Sequence, residues 1–151
     1  MTARRFLATS ASIFFAAAGV LSSTRSHAES EKTFGNYVVH YSAISTTQLQ
    51  PAIAKQYGIE RSSNKGLLNI SVEQKSETSH TIVADITADA GDLTGHNKPI
   101  RMRETSENGD IDYLGEFDID SAGTYVFTVK VSPPGQAKPF VVKFTQDLVV
   151  D

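Results

Sequence analysis

From residue 33 onward, apolar and polar residues alternate at a period of two, in short runs separated by glycine, proline and asparagine clusters. Successive side chains of a strand point to opposite faces, so this pattern commits the chain to half-buried antiparallel strands. About seven runs qualify, at 33–41, 67–75, 80–89, 99–105, 111–119, 124–131 and 139–150. Their inward faces read Leu68, Ile70 and Val72; Ile82, Ala84, Ile86 and Ala88; Ile100 and Met102; Ile111, Tyr113, Phe117 and Ile119. The last two runs are the clearest, with Tyr125, Phe127, Val129 and Val131 opposite Phe140, Val142, Phe144, Leu148 and Val150. Threonine, lysine and aspartate hold many alternate positions, so one face of each sheet meets water. Ser63-Asn64-Lys65-Gly66, Glu107-Asn108-Gly109-Asp110 and Ser132-Pro133-Pro134-Gly135 supply turns, and the Asn-Gly pair is a strong hairpin signal.

One segment breaks the rhythm. Between Thr46 and Tyr57, Leu49, Ile53 and Tyr57 recur every four residues, Pro51 suits a first helical turn and Gly58 suits the position just past the end. This predicts one short helix between strands one and two, with Leu49, Ile53 and Tyr57 capping an open end of the fold. Strands that are apolar on one face are buried economically by two packed sheets, so the expected fold is all-β, an immunoglobulin-like antiparallel β-sandwich. Asp120-Ser121-Ala122-Gly123-Thr124-Tyr125-Val126-Phe127 fits the corner entering the sixth strand of such folds. Tyr125 would return its hydroxyl to backbone near Asp120, with Phe127 in the core.

The first 28 residues belong to a different physics. Arg4 and Arg5 precede an apolar stretch from Phe6 to Leu21, and Ser26-His27-Ala28 has the small-x-small pattern of a signal-peptidase site. This predicts a signal peptide cleaved after Ala28, a single domain over 29–151, and a periplasmic address with no membrane insertion after cleavage. Arg4-Arg5 leaves general and twin-arginine export both open. The segment takes Arg4, Arg5 and Arg25 and none of the 17 acidic residues, so the remainder is more acidic than the whole chain with its net charge of −3. An acidic chain with scattered lysines is a poor match to nucleic acid or anionic lipid. The chain has no cysteine, which excludes disulfides, thiolate metal sites and a cysteine nucleophile.

Candidate chemistry is sparse. His40, His80 and His96 are too far apart in sequence for one strand or helix to present two imidazoles to an ion, and Met102 falls on a core face. A copper or zinc site would need His80, His96, Asp89 and Asp92 to converge through the fold. His40, between Val39 and Tyr41, reads as a hydrogen-bonded packing residue. No Gly-x-Ser-x-Gly motif and no histidine beside a candidate serine are present, so no enzyme and no cofactor are expected. Asp112, Glu116 and Asp118 fall on an outward face without calcium-loop spacing, and Arg101 and Arg103 suit cross-strand pairing with Asp112 or Glu116. Arg61-Ser62-Ser63-Asn64, with Asn69 in the next strand, suits a fixed loop or a small anion, the loop being the simpler reading.

Tyr41-Ser42-Ala43-Ile44, Leu49-Gln50-Pro51, Ala54, Tyr57-Gly58-Ile59, Arg61-Ser62 and Gly66-Leu67-Leu68-Asn69-Ile70-Ser71-Val72 resemble the leading motif of an exported proteobacterial family, domain of unknown function 4426. Phe34-Gly35, Tyr125-Val126-Phe127-Thr128-Val129 and Phe144-Thr145-Gln146 extend the resemblance over residues 32 to 148. It implies a Gram-negative periplasmic domain behind a signal peptide, and no activity. The expected function is therefore a non-enzymatic accessory module that binds an unidentified periplasmic or envelope protein. Its expected surface comprises Gln50, Lys55, Gln56, Arg61, Asn64 and Asn69. The alternative is a small-ligand or metal-ion binder, with copper or zinc as the ion.

Overall fold

The computed structural model describes residues 30–150; the expected signal segment lies outside them. The described residues form ten strands: β1 Ser30–Phe34, β2 Tyr37–Ser45, β3 Lys65–Gln74, β4 His80–Thr81, β5 Asp85–Gly91, β6 Asn97–Ile100, β7 Arg103–Glu107, β8 Asp110–Asp118, β9 Gly123–Ser132 and β10 Phe140–Leu148. One sheet runs β1-β2-β3-β8-β7, with β4 also pairing to β3, and the other runs β10-β9-β5-β6. Every pairing is antiparallel. Setting aside β1 and β4, the sheets follow the A-B-E-D and G-F-C-C′ orders of an immunoglobulin-like sandwich.

Three expected strands divide, each for a local reason. The run at 33–41 turns at Gly35-Asn36, so β1 folds back on β2 with Phe34 opposite Tyr37. The run at 80–89 starts beside β3 and ends in the second sheet, because the chain crosses between layers at Ile82–Ala84. The hydroxyl of Tyr113 anchors that crossing, accepting the Ala84 N–H at 2.8 Å while donating to Glu104 at 3.2 Å. The run at 99–105 crosses back at Arg101-Met102, which separates β6 from β7. A period-two pattern is the same in either sheet, so alternation alone carries no mark of these crossings.

The inward faces meet in one core. Leu68, Ile70, Val72, Phe127, Val129, Val131 and Val142 are fully enclosed. The Phe127 ring stacks on Phe144 at 4.9 Å between centroids and meets Phe117 edge-on at 5.1 Å. Gly66 of β3 admits the Phe117 ring, which a β-carbon at that position would strike. Val150, expected on the inner face, lies past β10 and is 43% exposed.

The corner before β9 has its own geometry. Tyr125 donates to the Ser121 carbonyl at 3.1 Å and accepts the Ser121 N–H at 3.4 Å. Asp120 itself turns outward and accepts Lys98 at 2.9 Å. The acceptor at the corner is thus Ser121, one residue past Asp120.

Candidate functional site

The connector between β2 and β3 builds the site. A 3-10 turn at Thr46–Gln48 is followed by helix α1, Pro51–Tyr57, rather than by one helix from Thr46. Pro51 disfavours helical backbone at the residue before it, and Gln50 is extended at φ −62°, ψ 139°. At the other end Gly58 adopts φ +64°. The Gly58 N–H reaches the Lys55 carbonyl at 3.2 Å, and the Ile59 N–H reaches the Ala54 carbonyl at 2.8 Å. This paired return satisfies the last carbonyls of α1 and sends the chain back beneath it.

Helix α1 does not cap an end of the sandwich. It lies against the outer face of the β1-β2-β3-β8-β7 sheet, where Ala54 and Ile59 pack with Leu67 of β3 and Leu114 of β8, flanked by Ile44, Leu49 and Tyr57. Leu67 and Leu114 alternate with core residues Leu68 and Tyr113, so these strands are apolar on both faces over this stretch. The outward apolar residues needed a cover, and the connector supplies it.

A buried latch closes the connector. Thr46 is wholly enclosed, donates to the Ser62 carbonyl at 3.1 Å and accepts the Ser62 N–H at 2.9 Å. Arg61 donates to the Thr47 carbonyl at 2.7 Å, which gives it the loop-fixing role. Contacts to β7 hold the C-terminal end of α1. Gln56 donates to Glu107 at 3.1 Å, Tyr57 gives its hydroxyl to the same carboxylate, and Arg103 donates to the Tyr57 carbonyl. Accepting that hydrogen bond, the Glu107 carboxylate lifts the Tyr57 hydroxyl above the ordinary phenol range.

Between α1 and the sheet remains a groove of about 180 Å³. Its apolar walls include Ile44, Leu49, Ile53, Leu67 and Leu114, and Tyr57 adds a ring. Ile53 is 40% exposed. Asn69 lines the same groove, and its side-chain Oδ1 is buried with no hydrogen-bond partner. Asp112 also lines it.

The expected surface residues therefore separate. Gln50, Lys55 and Gln56 are exposed on or beside α1, and Asn69 lines the groove. Arg61 ties the loop, while Asn64 accepts Ser62 Oγ at 2.6 Å. Sequence reasoning missed Thr46 and the outward Leu67 and Leu114. The signal for the two leucines was the adjacent apolar pairs Leu67-Leu68 and Tyr113-Leu114, where a half-exposed strand should alternate.

The histidines stay apart. His40 lies on β2 with Nε2 3.2 Å from Glu73 and Nδ1 3.7 Å from Glu31. His80 is on β4, and His96 follows β5, so a seven-residue strand of roughly 20 Å separates the last two. His96 faces Asp92 at 3.8 Å. Among the described residues no group of three or more His, Asp or Glu side chains is disposed to hold a metal ion. A second cleft, of about 290 Å³, lies where the ion pairs Lys65–Asp118 at 2.7 Å and Lys98–Asp120 at 2.9 Å meet Tyr125. Its cations are already matched.

Sheet order, core and outer-face helix define an immunoglobulin-like sandwich with one decorated face. The chain belongs to the DUF4426 family, a domain of unknown function whose model matches residues 31–151. It is similar to the crystal structure of a DUF4426 family protein from Pseudomonas aeruginosa PAO1, with 33% identity and a TM-score of 0.69 over 82% of this chain and 96% of that one. It also shares its fold with FetP of uropathogenic Escherichia coli strain F11, recombinantly expressed in the periplasm. Identity there is 14% and the TM-score 0.58, over 81% of this chain and 94% of that one. A copper-bound single-residue variant of that FetP aligns at 13% identity and a TM-score of 0.57, over 79% of this chain and 93% of that one. No curated protein matches the chain.

Proposed function

We propose that this protein is an exported, periplasmic, non-enzymatic binding module that engages a protein of the cell envelope through the α1 face. The groove beneath α1 carries the reading. A module that only needed to cover Leu67 and Leu114 would close over them, whereas here an apolar opening is left beside the half-exposed Ile53. The latch at Thr46 and the ties to Glu107 and Arg103 hold that opening in place, which lowers the ordering cost of binding. The periplasmic address is supported by the signal pattern of residues 1–28 and by the fold shared with FetP. No helix among the described residues is long and apolar enough to cross a membrane.

The test places a photoreactive amino acid at Lys55, exposed on α1, in the periplasm of intact cells, with Leu93 as a distant exposed control. One adduct is expected from position 55, absent from position 93 and lost when Ile53→Glu is added. Ile53→Glu should leave the melting temperature nearly unchanged. Equal adducts from both positions, or none from position 55, would overturn the reading.

Copper or zinc binding is the second reading, with the copper-bound FetP variant as its support. It requires a rise in melting temperature on adding either ion, because a ligand of the native state stabilises by mass action. Substituting His40, His80 and His96 singly would then locate the site.

A further inference from the structure

We infer that the open edge of β10 pairs with β10 of a second copy of this chain, antiparallel about a twofold axis at Thr145, which joins two β10-β9-β5-β6 sheets into one. This surface is separate from the α1 face, which belongs to the opposite sheet. Edges give the first argument. The two sheets end in β1, β7, β6 and β10. β6 has four residues and carries Pro99, β7 has five and is tied to α1 through Arg103 and Glu107, and β1 has five and carries Glu31 and Lys32. β10 instead runs nine residues in unbroken register with β9, without proline, glycine or bulge. A long, regular edge is a template for another strand. Lys32 Nζ reaches the Val141 carbonyl at 3.4 Å and Gln146 Nε2 the Asp147 carbonyl at 3.2 Å, so these two carbonyls point away from β9. Alternate residues of an antiparallel strand turn both backbone groups to one side, so Lys143 and Thr145, between them, present theirs to the open edge.

Side chains name the occupant. The exposed outer positions of β10 and the residue just past it read Val141, Lys143, Thr145, Asp147 and Val149. Turned about Thr145, this series is its own complement: Val141 meets the partner's Val149, Lys143 meets the partner's Asp147, and Thr145 meets itself. An axis at Lys143 or Asp147 would set like charges opposite, and an axis at Phe144 or Gln146 would leave both ion pairs unmade. Among the described residues Lys143 has no ion pair, and Asp147 accepts the Thr124 hydroxyl at 2.5 Å without facing a cation. Val141 and Val149 are large apolar side chains left exposed, and the same register covers both. A patch that complements itself in this way makes a closed, isologous dimer.

Sedimentation equilibrium of the purified protein is expected to show a concentration-dependent dimer. Lys143→Asp and Asp147→Lys each set like charges opposite and should weaken dimerisation about tenfold or more, whereas the two together restore the pairs and should recover it. Thr145→Cys gives a readout without a charge change. The chain has no cysteine, so a disulfide can join only two copies, and directly opposed strand residues lie within its reach. Thr145→Cys should oxidise to a linked dimer, and Lys130→Cys, exposed on β9, should not. A monomer at every concentration, or a dimer that survives both single charge reversals, overturns the inference. A folded double variant that stays monomeric, or equal linking through positions 145 and 130, overturns the register at Thr145 and the inference with it. A dimer lost on Ile53→Glu and kept on Lys143→Asp overturns it by assigning self-association to the α1 face.

Discussion

The Thr46 hydroxyl and the side-chain oxygen of Asn69 are buried polar groups on opposite sides of the same physical rule. Thr46 has both of its hydrogen-bonding capacities used by the backbone of Ser62, so its burial is compensated. Asn69 Oδ1 has no partner, so part of the stability available at that position is forgone. Opposite outcomes follow. Thr46→Val, which keeps the shape and removes the hydroxyl, should lower unfolding stability by about 2 kcal/mol in urea titration, because it leaves the Ser62 N–H and carbonyl unmatched. Asn69→Leu should raise the melting temperature, and a fall instead would mean that the amide makes a structural contribution outweighing its orphaned oxygen. Neither role was legible in sequence. Thr46 read as a helix start, and Asn69 stood beside Arg61 as a candidate anion ligand until the fold gave Arg61 to Thr47 and Asn69 to the groove.

At the scale of elements, the connector shows how local chemistry and packing divide the work. Pro51 and Gly58 set where α1 starts and stops, and both were readable because each acts on its own backbone. The face that α1 covers was not readable, since Leu49, Ile53 and Tyr57 mark a side to bury without naming the partner. Gly58→Ala places a β-carbon at φ +64° and should cost about 1 kcal/mol. The loss should be accompanied by faster hydrogen exchange at the Ile59 amide, whose acceptor is the Ala54 carbonyl. Unchanged exchange at Ile59 would show that the outer-face packing, and not the paired return at Gly58, holds the end of α1.

At the scale of the whole molecule, charge distribution sets the response to acid. Asp118 is held below the ordinary carboxylate range by Lys65, Asp92 by the Thr94 hydroxyl, and Glu73 first by Ser79 and then by His40. Groups depressed in the folded state contribute stability above their unfolded pKa and lose it as pH falls through the folded value. The melting temperature should therefore hold from neutrality to about pH 5 and decline below about pH 4. Asp118→Asn should make that decline shallower; an unchanged slope would assign the acid response to other carboxylates. Alternation by itself determined that this chain makes antiparallel strands, which side of each strand faces the core, Val150 past the end of β10 excepted, and that two sheets are needed, because period and polarity act through each residue's own backbone. Only the tertiary structure decided where the chain crosses between sheets, that one outer face is apolar enough to take a helix, and that the cover leaves a groove. Those outcomes depend on which distant strands become neighbours, a property of the closed sandwich that no single run of residues contains.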